Sequence, residues 1–263
     1  MMSSTGNQYA ILFDITRCSG CRACENACKN WWNLPADKTT FSKTFTNPPD
    51  LTPYTWLLVK YYEVLTGSGL QLRFANERCM HCDDPACAKV CPVGAITKYP
   101  EGPVVIDEDK CIGCKYCIDA CPFDIPRYDE ETNKVYKCNM CIDRVSVGLE
   151  PACVATCPTD ALEFGVKEDM LNKAHERVAA MGGYIYGEKE AGGTSVFIIT
   201  DRPPEEYGYP SVAPELPTLV AIKEDYLNPA GAVAGLAVAG FLVGLSFISH
   251  RREKLSKEAK KDE

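Results

Sequence analysis

Sixteen cysteines fall into four groups of four: Cys18, Cys21, Cys24 and Cys28; Cys79, Cys82, Cys87 and Cys91; Cys111, Cys114, Cys117 and Cys121; Cys138, Cys141, Cys153 and Cys157. None is left over. The third group reads C-x2-C-x2-C-x3-C-P, the spacing that wraps a loop around the corners of a [4Fe–4S] cube. Three thiolates of such a loop reach three irons, and the fourth iron takes its thiolate from elsewhere. One run therefore implies a second, and residues 79–121 hold both. A disulfide framework is the competing use of so many cysteines, but cysteines this close together cannot all pair usefully. A zinc-bound structural or interaction protein is the remaining alternative, since zinc sites also use C-x2-C pairs. Each zinc site needs two such knuckles, whereas the first and third groups pack four cysteines into eleven residues. Pro92, Pro122 and Pro158 follow the last cysteine of three groups, again the iron–sulfur habit. Four [4Fe–4S] clusters are the expected cofactors.

The formal charge is −8 with the cysteines counted as neutral, and four loaded cubes would take it to about −16. Nucleic acid is excluded as a partner, because phosphate binding needs a basic face. The hydrophobic share of 46% includes the cysteines and a long apolar run near the C-terminus. Ordinary core is therefore scarce, and metal binding must supply much of the folding free energy.

The elements that position the cysteines are short. Residues 9–15 (Y-A-I-L-F-D-I) predict a strand leading into the first quartet, and residues 24–31 a helix leaving it. Residues 35–55 form an insertion with an N-P-P-D turn, and 56–65 with 70–74 predict a hairpin around T-G-S-G. The connector of the second and third quartets reads strand, Pro-Gly turn, strand, which resembles the middle of a ferredoxin. A further hairpin enters the fourth quartet, and the insertion between Cys141 and Cys153 is long enough for a turn of helix. Residues 167–181 have helical periodicity through Met170, Leu171, Ala174 and Val178, residues 194–200 read as a strand, and 202–217 is a proline-rich stretch running extended over a surface. The whole reads as an α+β fold: two ferredoxin-like halves of two [4Fe–4S] clusters each, with hairpin insertions, plus one C-terminal transmembrane helix. The corresponding segments are 1–75 (first quartet and insertion), 76–130 (central two-cluster module), 131–200 (fourth quartet, helix and strand), 201–227 (linker), 228–250 (membrane helix) and 251–263 (tail).

Residues 228–249 carry no charge, enough to span about 30 Å of hydrocarbon as a helix. Gly231 and Gly235, then Gly240 and Gly244, are spaced for close approach of another membrane helix. Arg251, Arg252, Lys254, Lys257, Lys260 and Lys261 follow the run. The positive-inside rule puts this tail in the cytoplasm and the cluster domain on the outer, periplasmic face. Residues 1–6 read as an unstructured start without a signal-peptide pattern, so export bound to a signal-bearing partner is the expectation.

Several residues invite a functional reading. His81 lies inside a cluster loop whose four cysteines are all present, so it reads as a hydrogen-bonding or packing neighbour rather than a ligand. His250 reads as an interfacial residue rather than a haem ligand. Arg22, Lys115 and Lys137 stand near cluster loops, where positive charge raises a cluster's potential, or else are solvated surface charge. Trp31 and Trp32 read as packing beside the first cluster rather than as an electron relay.

Four quartets in this order, with C-M-H-C-x4-C in the second and V-Y-K-C-N-M-C-I-D-R-V in the fourth, resemble the four-cluster β subunits of molybdopterin oxidoreductases. C-P-F-D-I-P-R, E-P-A-C-V-A-T-C-P-T-D-A-L-E-F-G, H-E-R-V, G-G-T-S-V-F and the single C-terminal apolar run are most similar to the β subunit of formate dehydrogenases. The resemblance implies a non-catalytic electron wire of anaerobic respiration. It would join a molybdenum or tungsten pterin subunit oxidising formate to a membrane cytochrome b or other quinone-reactive partner. The same wire in a membrane-bound hydrogenase or another pterin reductase is the alternative. It also implies the ligand sets: Cys18, Cys21, Cys24 and Cys157 for cluster 1; Cys79, Cys82, Cys87 and Cys121 for cluster 2; Cys91, Cys111, Cys114 and Cys117 for cluster 3; Cys28, Cys138, Cys141 and Cys153 for cluster 4. The residues alone support the exchanged fourth ligand only between the second and third quartets.

Overall fold

The sixteen cysteines lie on helices and the loops beside them, hung from one four-stranded sheet and three hairpins. A computed structural model of the chain describes residues 8–41, 44–66 and 69–215. In chain order the elements are β1 (Tyr9–Asp14), α1 (Ala23–Trp32), β2 (Leu57–Thr66), β3 (Gly69–Arg78), α2 (Ala86–Lys89), β4 (Ile96–Lys98), β5 (Val104–Ile106) and α3 (Tyr116–Asp119). They continue with β6 (Arg127–Asp129), β7 (Lys134–Tyr136), α4 (Ile142–Val145), α5 (Ala152–Ala155), β8 (Leu162–Val166), α6 (Lys167–Met181), β9 (Tyr184–Tyr186) and β10 (Val196–Thr200).

The sheet runs β8-β1-β10-β9. Strand β1 is parallel to β10, with Ile11 opposite Val196, and antiparallel to β8. Both central strands are buried on both faces, which is why they read as unbroken apolar runs. Alternate side chains then divide the core. Ala10, Leu12, Phe197 and Ile199 meet Met170 and Ala174 of α6, while Ile11, Phe13, Val196 and Ile198 face the cysteine loops. Each fully buried side chain of this size contributes roughly 1.5–3 kcal/mol. Helix α6 starts with Glu168 and Asp169, which suit the positive end of its dipole, and stops at Gly182 with φ 71°.

The β2–β3 hairpin pairs ten residues on each strand and carries Arg78 back to lie opposite the buried Leu57. The β4–β5 and β6–β7 hairpins pair only three residues each. The expected strands, hairpins and helices are therefore present, and β8 and β9 are added to them. The proline-rich stretch behaves differently from expectation as far as it is described. After Asp201 it forms a 3-10 turn (Pro204–Tyr207) and sinks Tyr207 and Tyr209 into the main core. Two tyrosines bury more apolar area than an extended surface strand could, and both hydroxyls find partners, Asp201 and the backbone of Asn76. Among the described residues no helix is long and apolar enough to cross a membrane. The expected span at 228–250, the basic tail with His250, and the start at 1–6 lie outside the described residues.

Candidate iron–sulfur centres

The four quartets share a backbone form that their sequences only half disclose. In the first C-x-x-C pair of each quartet the residue before the second cysteine lies in the left-handed region: Gly20 (φ 70°), His81 (φ 51°), Gly113 (φ 67°) and Met140 (φ 55°). Glycine adopts this freely, whereas histidine and methionine are strained there by about 1–3 kcal/mol. Beyond the closing cysteine the chain turns the same way again at Gly94, Asp124 and Asp160. Gly20 and Gly113 have a second reason to be glycine. A Cβ would lie 2.6 Å from the Phe74 ring at the first and 2.2 Å from the Asn133 carbonyl at the second.

In each quartet the third cysteine stands on a short helix: Cys24 on α1, Cys87 on α2, Cys117 on α3, Cys153 on α5. The fourth cysteine comes four residues later, one helical turn on. Adjacent turns can thus serve different centres. Cys18 has Cys157 and Cys21 as its sulfur neighbours, and Cys24 has Cys153 and Cys18. Cys28 instead faces Cys138, Cys153 and Cys141. Cys82 faces Cys79, Cys121 and Cys87, while Cys117 faces Cys111, Cys114 and Cys91. These neighbours run across the quartets as well as within them. Charge is also felt from one group to the next, by Cys24 from Cys153 and by Cys87 from Cys117.

Burial, then the negative charge of neighbouring sulfurs, pushes these thiols up: Cys87 and Cys117 to about 12, Cys121 to about 11 by burial above all, Cys24 and Cys82 further, and Cys28 well above its ordinary value. Four thiolates held together out of water stay ionised only with a multivalent cationic group among them. Zinc holds its sulfurs at about 2.3 Å from one point. Among the described residues no three such side chains converge on a single ion in that way. A cube spreads its ligands over separate irons, which suits these wider groups. Donors are also left over beside them. Arg78 Nε and His81 Nε2 are buried without a protein partner, as expected of groups facing the sulfur of a cluster. The donor set fits four cubes.

Two cations are buried among the sulfurs. Arg78, 2% exposed, aims Nη1 at Cys153 Sγ (3.3 Å) and Nη2 at Cys138 Sγ (3.6 Å). Lys137, 5% exposed, donates from Nζ to the Cys138 carbonyl (3.0 Å), the Val104 carbonyl and the Cys79 sulfur. Burial works to discharge both, but the sulfurs of Cys153 and Cys138 around Arg78, and of Cys79, Cys87 and Cys138 around Lys137, outweigh it and raise both pKa values. His81 is fully buried; burial first, then Lys137, Arg78 and Lys98, hold it neutral. Its Nδ1 accepts from the Val104 N–H at 2.9 Å, so the ring proton sits on Nε2.

Lys137 is thus a cluster neighbour and not solvated charge. The other two expected cations lie over aromatic rings: Arg22, half-buried, 4.9 Å from that of Tyr61, and Lys115, exposed, 3.7 Å from that of Tyr128. Trp32 packs on Trp56 and hydrogen-bonds Cys141, so it belongs beside the group of Cys28, Cys138, Cys141 and Cys153 rather than the first. Trp31 is half exposed, donating to Asp143 at 2.9 Å under Arg144. Sequence reasoning missed Arg78. A charge just before a cluster motif looks like surface, and only the hairpin register turns it inward. It also missed Lys98, whose Nζ ties the His81 carbonyl (3.0 Å) to Gly102 and Ser195.

Fold and site define an iron–sulfur protein built of two dicluster units. Two families described as 4Fe-4S dicluster domain match the chain, over residues 17–95 and 70–167. The nitrate-inducible formate dehydrogenase iron–sulfur subunit of Escherichia coli K12 is 41% identical over 89% of this chain and 81% of its own length. The formate dehydrogenase iron–sulfur subunit of Haemophilus influenzae is 42% identical over 88% and 78%. The hydrogenase-2 operon protein HybA of Escherichia coli O157:H7 is 33% identical over 77% and 73%. The chain belongs to the family of formate dehydrogenase iron–sulfur subunits. It is an electron-transfer subunit with four [4Fe–4S] clusters, not a catalytic one, and it works in a complex with a catalytic subunit.

Proposed function

We propose that this chain relays electrons from a molybdenum or tungsten pterin subunit oxidising formate to a membrane cytochrome b or other quinone-reactive partner. The observation that carries the relay is the succession of sulfur groups, Cys24 sensing Cys153 and Cys87 sensing Cys117, with Lys137 between the halves on the Cys138 carbonyl and the Cys79 sulfur. When bound, each cube supplies a site that accepts and releases one electron. Cys18, Cys21, Cys24 and Cys157 would hold cluster 1, and Cys28, Cys138, Cys141 and Cys153 cluster 4. Cys79, Cys82, Cys87 and Cys121 would hold cluster 2, and Cys91, Cys111, Cys114 and Cys117 cluster 3. The sulfur neighbours support these sets and the order 1–4–2–3. The protein's own part is to fix the third and fourth cysteines of each quartet a helical turn apart through α1, α2, α3 and α5.

The uncharged run at 228–249 supports anchoring in the membrane, and the basic residues after it support a cytoplasmic tail with the cluster domain on the outer face. Export then requires a signal-bearing partner. Anaerobic purification of the whole complex tests this reading: formate should reduce the clusters, and a pterin subunit and a cytochrome should co-purify. A second reading, the same wire in a hydrogenase complex, draws on the HybA relative. Reduction by hydrogen but not by formate would favour it.

A further inference from the structure

A buried charge persists only where partners offset its desolvation. Lys137 Nζ meets three acceptors, the carbonyls of Val104 and Cys138 and the Cys79 sulfur, so all three N–H bonds are used and the group is an ammonium. Its surroundings come from both halves of the fold. Cys79 and Cys87 belong to the contiguous two-cluster module, and Cys138 to the unit assembled from the first and fourth quartets. Arg78 is buried at the same seam, yet the two sulfurs it hydrogen-bonds, Cys153 and Cys138, lie on one side and in one ligand set. Among the described residues neither charge has a carboxylate on it, so the sulfur groups are what each serves.

We propose that Lys137 and Arg78 are fixed positive charges that set the potentials of the two clusters flanking the seam between the halves, Lys137 acting on both and Arg78 on one. This rests on the ligand sets given above. A nearby cation stabilises the more negative, reduced form of a cluster and raises its potential. Without such charges the crossing between halves would be the step at which two dianionic centres face each other across a dry gap. Lys137 makes that crossing level by lifting both ends together. Both residues are positioning residues.

The test is an EPR-monitored redox titration of the anaerobic complex, wild type against Lys137→Gln, Lys137→Met and Arg78→Gln, with iron counted in each. Lys137→Gln keeps a hydrogen-bond donor and loses the charge. The expected result is a fall in the reduced-to-oxidised ratio, at fixed applied potential, of roughly tenfold for two clusters, or about 59 mV each. Arg78→Gln should move one of those two by a similar amount and leave the other three in place. Unchanged potentials in Lys137→Gln with four clusters present would overturn the proposal, as would an equal shift of all four. If both glutamine variants lose clusters, the two residues are structural braces and the proposal fails. Fewer than four clusters in the wild-type complex would instead refute the ligand sets.

Discussion

The two halves hold the same cofactors by different means. The module at 79–121 is contiguous, and its protein core is slight: Ile96, Val104 and Cys117 with Val135 from outside, on a hairpin of three residue pairs. Six of its eight cysteines are only partly covered by neighbours, and Ile112 and Tyr116 stand in the open. The other half gathers its ligands from residues 18–28 and 138–157, and it needs the four-stranded sheet, α6 and the ten-pair hairpin to bring them together. Short loop closure lets the first half be held largely by its iron–sulfur bonds. Long loop closure costs more entropy, so the second half must be held by burial as well.

Iron removal should sharpen this contrast most. Chelation under anaerobic conditions is expected to abolish the cooperative fold. In hydrogen exchange followed through the process, amides of α2, α3, β4 and β5 should open before those of β1 and β10. Simultaneous opening would erase the distinction. Next in size is Phe197→Ala, in the sheet face against α6, which should cost about 3–5 kcal/mol. The EPR signals of clusters 1 and 4 should be lost before those of 2 and 3 as denaturant rises, and the reverse order would break the comparison. Gly113→Ala forces a left-handed alanine, about 1–2 kcal/mol, and drives its Cβ into the Asn133 carbonyl. Iron content of the purified protein should fall by one contiguous-module cluster, with the sheet half intact.

The smallest expected effect is at Asp201. Burial opposes its carboxylate, but bonds from Tyr207 and Arg73 prevail and hold its pKa below the ordinary range. A carboxyl depressed on folding adds stability above its unfolded value, near 3.9, and that stability is lost as pH falls through the folded value. Asp201→Asn should therefore destabilise the sheet half by about 1 kcal/mol at neutral pH, after solvent screening. The difference from wild type in denaturant midpoint should shrink below about pH 4, and a constant difference would discount the carboxylate.

The cysteine spacing was legible because cluster binding is local: each quartet declares itself within eleven to twenty residues. Hairpins and α6 were legible for the same reason, through period and turn residues. What was hidden depends on contacts between distant segments. The parallel pairing of β1 with β10 joins opposite ends of the described chain, and nothing local signals it. Strands β8 and β9 are short and exist because they extend that sheet. The left-handed turns at His81 and Met140 were hidden because glycine marks only the other two loops. Arg78 is buried by register, and Tyr207 and Tyr209 by a core that the proline content did not suggest.

Iron, acid-labile sulfide and zinc measured together in anaerobically purified full-length protein test the central claim most directly. About sixteen irons and sixteen sulfides per chain, with zinc absent, are expected of four cubes. About eight irons, or zinc filling one pair of quartets, would contradict it.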